Sequence, residues 1–166
     1  MKKKFFIIGI FLFAFFAFVG SASAVVRHYL SGHSSVDERE IRWNGGTAYM
    51  NQLNASIATW NALRRVNIAP DTILTFEDLR ISDINLPDVL WAGCYTNKIG
   101  TDTLEVNRAF MLNYNNSKRQ NVFTHELGHS LGLAHSPIGN VMYPVTTVRT
   151  ALSEQDTSDY RFLWGN

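Results

Sequence analysis

The spacing of apolar positions changes several times along the chain. Phe5 to Gly20 is an unbroken apolar run that follows Lys2-Lys3-Lys4 and precedes Ser21-Ala22-Ser23-Ala24. A basic start, an apolar stretch short of the ~20 residues a bilayer span needs, and small residues at a cleavage site form a secretory signal peptide. Residues 1–24 are therefore expected to be removed, leaving 25–166 as the folded domain; the alternative is a retained membrane anchor over residues 5–24. Val25 to Glu40 is polar and mixed, either a short pro-segment or the first ordered stretch.

Beyond it, Ile41-Arg42-Trp43 predicts a short strand ended by Asn44-Gly45-Gly46. Met50, Leu53, Ile57, Trp60 and Leu63 fall near helical spacing and predict an amphipathic helix over Thr47–Arg64. Thr72–Leu79 alternates and predicts a strand after the Pro70-Asp71 turn. Val89–Tyr95 and Thr103–Leu112 predict two more strands, with a loop around Pro87 before them. Ser117 and Gln120 have the spacing of a capping box, predicting a helix from Lys118 to about Leu131. Phe123, Leu127 and Leu131 share its core face, while His125 and His129 share another. Ser153 and Asp156 start a last helix that ends near Trp164. This order predicts an α+β domain with a mixed sheet and two long helices.

The 166 residues suit one domain, and a composition 46% hydrophobic and 17% charged supports a real core. A formal net charge of +1 without basic clusters gives no footprint for nucleic acid. Cys94 is the only cysteine, so no disulfide forms within the chain, and the residue is expected to be a buried small apolar side chain. Asp83, Asp88 and Asp102 are read as loop residues that solvation explains; calcium is possible in principle, but no pattern supports it.

The stretch His125-Glu126-Leu127-Gly128-His129-Ser130-Leu131-Gly132-Leu133-Ala134-His135 carries the chemistry. Helical residues four apart stack on one face, so His125 and His129 can reach one zinc ion. Gly132 permits a left-handed turn that ends the helix and lets His135 approach as a third ligand. Three protein ligands leave one position for water, which marks a catalytic site. Glu126 sits beside that position without being a ligand and suits a general base.

This window resembles the long zinc-binding motif of the metzincin metallopeptidases, and within them the matrixins. Ser136 after the third histidine has the matrixin form, and Asn140-Val141-Met142-Tyr143-Pro144 is similar to the matrixin Met-turn. Trp60-Asn61 and the closing helix are weaker matches. The resemblance, which is to small bacterial secreted members, implies a twisted mixed sheet above a cleft. It also implies Met142 as an apolar floor beneath the zinc and an edge strand, Val89–Tyr95 or its neighbour, that pairs with an extended peptide. Asp156 either caps its helix, buttresses the Met-turn or binds the start of the chain. The sequence departs from the family at Thr146, where a tyrosine is expected, and lacks the loop for a second, structural zinc. The expected function is a secreted, monomeric zinc endopeptidase acting on protein or peptide substrates. A non-catalytic secreted zinc-binding recognition module is the alternative.

Overall fold

A computed structural model describes residues 27–165; the expected signal peptide lies outside the described residues. Five strands form one mixed sheet in the order β2-β1-β3-β5-β4. They are β1 (Glu40–Gly45), β2 (Asn67–Pro70), β3 (Leu79–Ile84), β4 (Gly93–Thr96) and β5 (Asp102–Asn107). β2, β1, β3 and β5 run parallel to one another, and β4 alone runs antiparallel, on β5, with Gly93 opposite Val106 and Tyr95 opposite Leu104. The helices are α1 (Met50–Asn61), α2 (Arg108–Met111), α3 (Asn116–Ser130) and α4 (Glu154–Trp164). The architecture is α+β with two long helices packed together, as the sequence predicts.

Several boundaries move for identifiable reasons. The first helix starts only at Met50, because the Thr47 hydroxyl accepts the Tyr49 amide and shapes a turn first. It stops at Asn61, whose side-chain amide takes both the N–H and the C=O of Ile68 and draws the chain into β2. Thr72–Leu79 is not a strand. Thr75 bonds Thr72 and Asp71 through its hydroxyl and curls this segment into a turn, leaving Ile73, Leu74 and Phe76 at least 90% exposed. The ladder begins instead at Leu79. Most of Val89–Tyr95 is likewise loop. Asn107 donates to the carbonyls of Leu86 and Trp91 and accepts the amide of Leu86, holding the segment as a curve until Gly93. The same side chain accepts the Ala109 amide, which turns the predicted strand over Thr103–Leu112 into β5 followed by α2. Asn115 rather than Ser117 caps α3, accepting the Lys118 amide at 2.9 Å. The predicted Ser153–Asp156 capping box of α4 is present.

The core lies between the sheet and α3. Ile41, Leu79, Ile81, Leu104 and Val106 from the strands meet Phe123, Leu127 and Leu131 from α3, all fully buried. Trp60 pins α1 to α3: its indole N–H donates to the Thr124 carbonyl at 2.9 Å and its ring stacks on Tyr160 at 5.9 Å. The Tyr160 hydroxyl accepts the Val66 amide at 2.7 Å, joining α4 to the entry of β2. The start of the described chain is part of this body. Ser31 and Ser35 donate their amides to Gly132 and Ser130, and Tyr29 accepts the Ala134 amide. Leu30 pairs with Leu133 as an antiparallel bridge.

Replacing Trp60 by Phe removes the indole donor and leaves the Thr124 carbonyl without it inside the core. Trp60→Phe is expected to lower the free energy of unfolding by about 1–3 kcal/mol. Urea denaturation checks this, and a midpoint equal to that of the parent chain would show that the α1–α3 bond carries no stability.

Candidate metal centre and cleft

The last three turns of α3 carry His125, Glu126 and His129, and Leu131 caps the helix. Gly132 follows with φ of 93°, a left-handed value that turns the chain out of the helix axis. The next residues return His135 to the same point in space. The Nε2 atoms of His125 and His129 are 3.1 Å apart, and those of His129 and His135 are 3.2 Å apart. Ligand nitrogens ~2.0–2.1 Å from a tetrahedral ion stand about 3.3 Å from one another, so the three imidazoles fit a zinc ion. They are the one group of three or more potential ligands among the described residues.

Two of the rings are oriented from behind. His125 Nδ1 bonds the Val141 carbonyl at 2.9 Å, and His129 Nδ1 bonds the Leu133 carbonyl at 2.8 Å. A carbonyl accepts, so each Nδ1 carries the proton and each Nε2 presents a lone pair. Burial, then the neighbouring His129, push His125 down to about 4. Burial also lowers His129 and His135. All three are therefore neutral at pH 7 and ready to ligate.

Glu126 is 6% exposed and accepts the Tyr95 amide on Oε2 at 2.9 Å. Burial raises its pKa to about 8, opposed by that amide. The bond also shows how β4 is oriented. In an antiparallel strand, alternate residues turn both backbone groups to the neighbour. Tyr95 therefore directs its N–H away from β5, and Gly93 does the same at the free edge of the sheet. That edge overlooks a cleft of about 630 Å³. It is lined by Gly93, Cys94 and Tyr95 of β4, by Val122, His125, Glu126 and His129 of α3, and by Tyr143 to Thr146. Phe110, Tyr114 and Lys118 line it as well.

Met142 is 1% exposed and lies directly against Gly128, where any side chain would collide with its Sδ. Asp156 accepts the amides of Val141 at 2.9 Å and Met142 at 3.2 Å and also caps its own helix through Ser153. It therefore combines two of the three roles open to it. Asp159, one turn further along α4, bonds the His28 side chain at 3.0 Å. Three readings of single residues are corrected. Asp83 is not a loop residue but part of β3, opposite Val106, and accepts the Ala48 amide at 2.9 Å. Cys94 is half-buried rather than in the core, because it lies on the edge strand and lines the cleft. Asp102 is not a solvated loop residue but a buried member of β5. It receives hydrogen bonds from Ser35 at 2.7 Å, the Tyr95 hydroxyl at 2.6 Å, Asn97 and the Lys98 amide. These donors outweigh its burial and lower its pKa.

Sequence reasoning missed Asn121 as well. It is 3% exposed, accepts the Thr147 amide and donates to the Arg149 carbonyl, both at 2.8 Å, and so fastens the segment after Pro144 to α3. A polar residue next to the core face of a helix was the available signal.

Comparison with known proteins gives a family and a likeness of fold. Residues 18–165 match the peptidase family described as Matrixin. No curated protein sequence matches. Among solved structures, a chain of the GM1-bound form of the ECX AB5 holotoxin is similar, with 15% identity and a TM-score of 0.53. The match covers 76% of this chain and 80% of that one, a likeness of fold alone.

The shifted groups act in opposite directions on the metal-free protein. Between pH 4.5 and about 8, folded Glu126 keeps a proton that the unfolded chain has released, so its contribution to stability falls as pH rises. Between about 4 and 6.5, the unfolded chain binds a proton that folded His125 refuses, so the His125 contribution rises with pH. Glu126→Gln keeps an acceptor for Tyr95 but cannot ionise. Metal-free Glu126→Gln is expected to gain on the order of 3 kcal/mol over the parent between pH 5 and pH 8. Thermal unfolding at the two pH values in the presence of chelator measures the difference, and a pH-independent gap would contradict it.

Proposed function

We propose, on the premise that the chain belongs to the matrixin family of peptidases, that it is a zinc-dependent endopeptidase of protein or peptide substrates. One observation carries the reading: three neutral imidazoles converge within 3.2 Å contacts beside a buried carboxylate that is not part of the cluster. A structural site has no use for such a neighbour.

In this reading His125, His129 and His135 hold one zinc ion. When bound, zinc supplies a Lewis acid that polarises the scissile carbonyl and acidifies a water toward pKa ~7. The protein's own groups do the rest. The charge of the bound ion would favour the ionised carboxylate over the protonated form of the metal-free protein, and Glu126 would then accept the proton of the attacking water and pass it to the leaving amine. Its Oε2 is held by the Tyr95 amide, so the carboxylate cannot swing away from the cleft. The free edge of β4 aligns an extended substrate by backbone pairing. Met142 is the apolar floor under the histidines, and Asp156 sets its position through the backbone. Thr146 and Val145 stand where the cleft wall meets a substrate side chain. The protein works as a secreted monomer after cleavage behind Ala24.

The test is hydrolysis of casein by purified residues 25–166, beside Glu126→Ala, with zinc measured on both. The parent is expected to cleave and to stop with chelator, while Glu126→Ala keeps one zinc and loses at least ~10²-fold in rate. A parent that holds zinc yet cleaves none of several denatured proteins would favour a zinc-dependent recognition module. Mass spectrometry of the protein recovered from the medium is expected to give Val25 as the first residue; recovery only from membranes with residues 5–24 attached would show an anchored form instead.

A further inference from the structure

Glycine is a poor choice for a strand, since it adds backbone entropy to lose and no side chain to pack. Gly93 nevertheless opens β4, the strand that carries the Tyr95 amide to Glu126. Its backbone does not require it: unlike Gly132, Gly93 is outside the positive-φ region. Space requires it. A Cβ on Gly93 would stand 2.6 Å from Val122 Cγ1 and 2.8 Å from both Cγ and Oε1 of Glu126. Contacts that short do not persist, and the neighbours have little room to yield. Val122 is β-branched and 3% exposed, and Glu126 Cγ is the middle of a buried side chain. The strand cannot retreat easily either. Tyr95 is anchored by its hydroxyl to Asp102 at 2.6 Å, and Ser35 bonds both groups.

We propose that Gly93 is a positioning residue for Glu126: its missing side chain lets the sheet edge close on α3, so that Tyr95 can hold the carboxylate and the base faces the cleft. The inference rests on the endopeptidase reading for its catalytic consequence, but the placement itself can be tested without activity. A methyl group at position 93 displaces Glu126 or the strand, and the Tyr95–Glu126 bond is lost in either case. The three atoms nearest to such a Cβ belong to Val122 and Glu126 and not to a histidine of the cluster, so zinc ligation is expected to persist.

Gly93→Ala is expected to fold, bind one zinc and lose about 10–100-fold in kcat on casein-derived peptides, with KM changed by no more than about threefold. Its crystal structure should show the Glu126 carboxylate moved from the Tyr95 amide. Glu126→Asp shortens the base by one methylene, so adding Gly93→Ala to it should cost far less than in the parent. Gly93→Ala/Val122→Ala, which relieves only the valine contact, should stay impaired, and it supplies the same comparison if Gly93→Ala alone does not fold. Equal penalties in the parent and Glu126→Asp backgrounds, full rescue by Val122→Ala, or an unmoved carboxylate in the crystal would each overturn the proposal. A parent chain that cleaves nothing would refute the endopeptidase reading instead, and the crystal comparison would still decide whether Gly93 places Glu126.

Discussion

Three imidazole nitrogens gathered within 3.2 Å contacts are an unfavourable arrangement unless every ring is neutral and aimed. Neutrality comes from burial, and aim comes from two backbone carbonyls, those of Val141 and Leu133. Each carbonyl lies in irregular chain, so each must be held by something else. Leu133 is held by the segment around Leu30, and Val141 by the Asp156 carboxylate. Most of what surrounds the site serves to keep those two acceptors still.

The sheet contributes on the opposite side. β4 is the one antiparallel strand, and this orientation brings alternate amides to an open edge above α3. Glu126 borrows the Tyr95 amide, which leaves that of Gly93 on the same edge. The polar network behind β4 fixes that edge without adding charge to the cleft. Asp102, Ser35 and the Tyr95 hydroxyl satisfy one another inside the fold, which is the condition for buried polar groups to stabilise rather than cost. On the far side of α3, Met142 fills the space that Gly128 leaves, and Trp60 closes the helix pair.

The parts of this arrangement that repeat locally could be read from the sequence. His125, His129 and the apolar series Phe123, Leu127 and Leu131 follow the period of one helix, and the Ser153–Asp156 box is a contact within a single turn. The mixed sheet, the matrixin family and the edge position of β4 were legible for the same reason or by resemblance. The strands were harder. Ile73, Leu74 and Phe76 alternate like a buried strand but face solvent, because hydrogen bonds from Thr75 win locally over the pattern. β2 is four residues long and leaves no periodic trace. Asn107, Asn121 and Asp102 reach Trp91, Arg149 and Ser35, and a polar residue read alone gives no hint of which such group it will meet.

The bond from Asp156 to the amides of Val141 and Met142 also has a meaning in time. α4 is synthesised after every other described element. Until α4 docks, Val141 lacks its anchor and His125 lacks a fixed acceptor, although both other histidines have already been made. A chain cut short before α4 would carry all three histidines and Glu126 but not the carboxylate that anchors Val141 and, through it, the His125 ring.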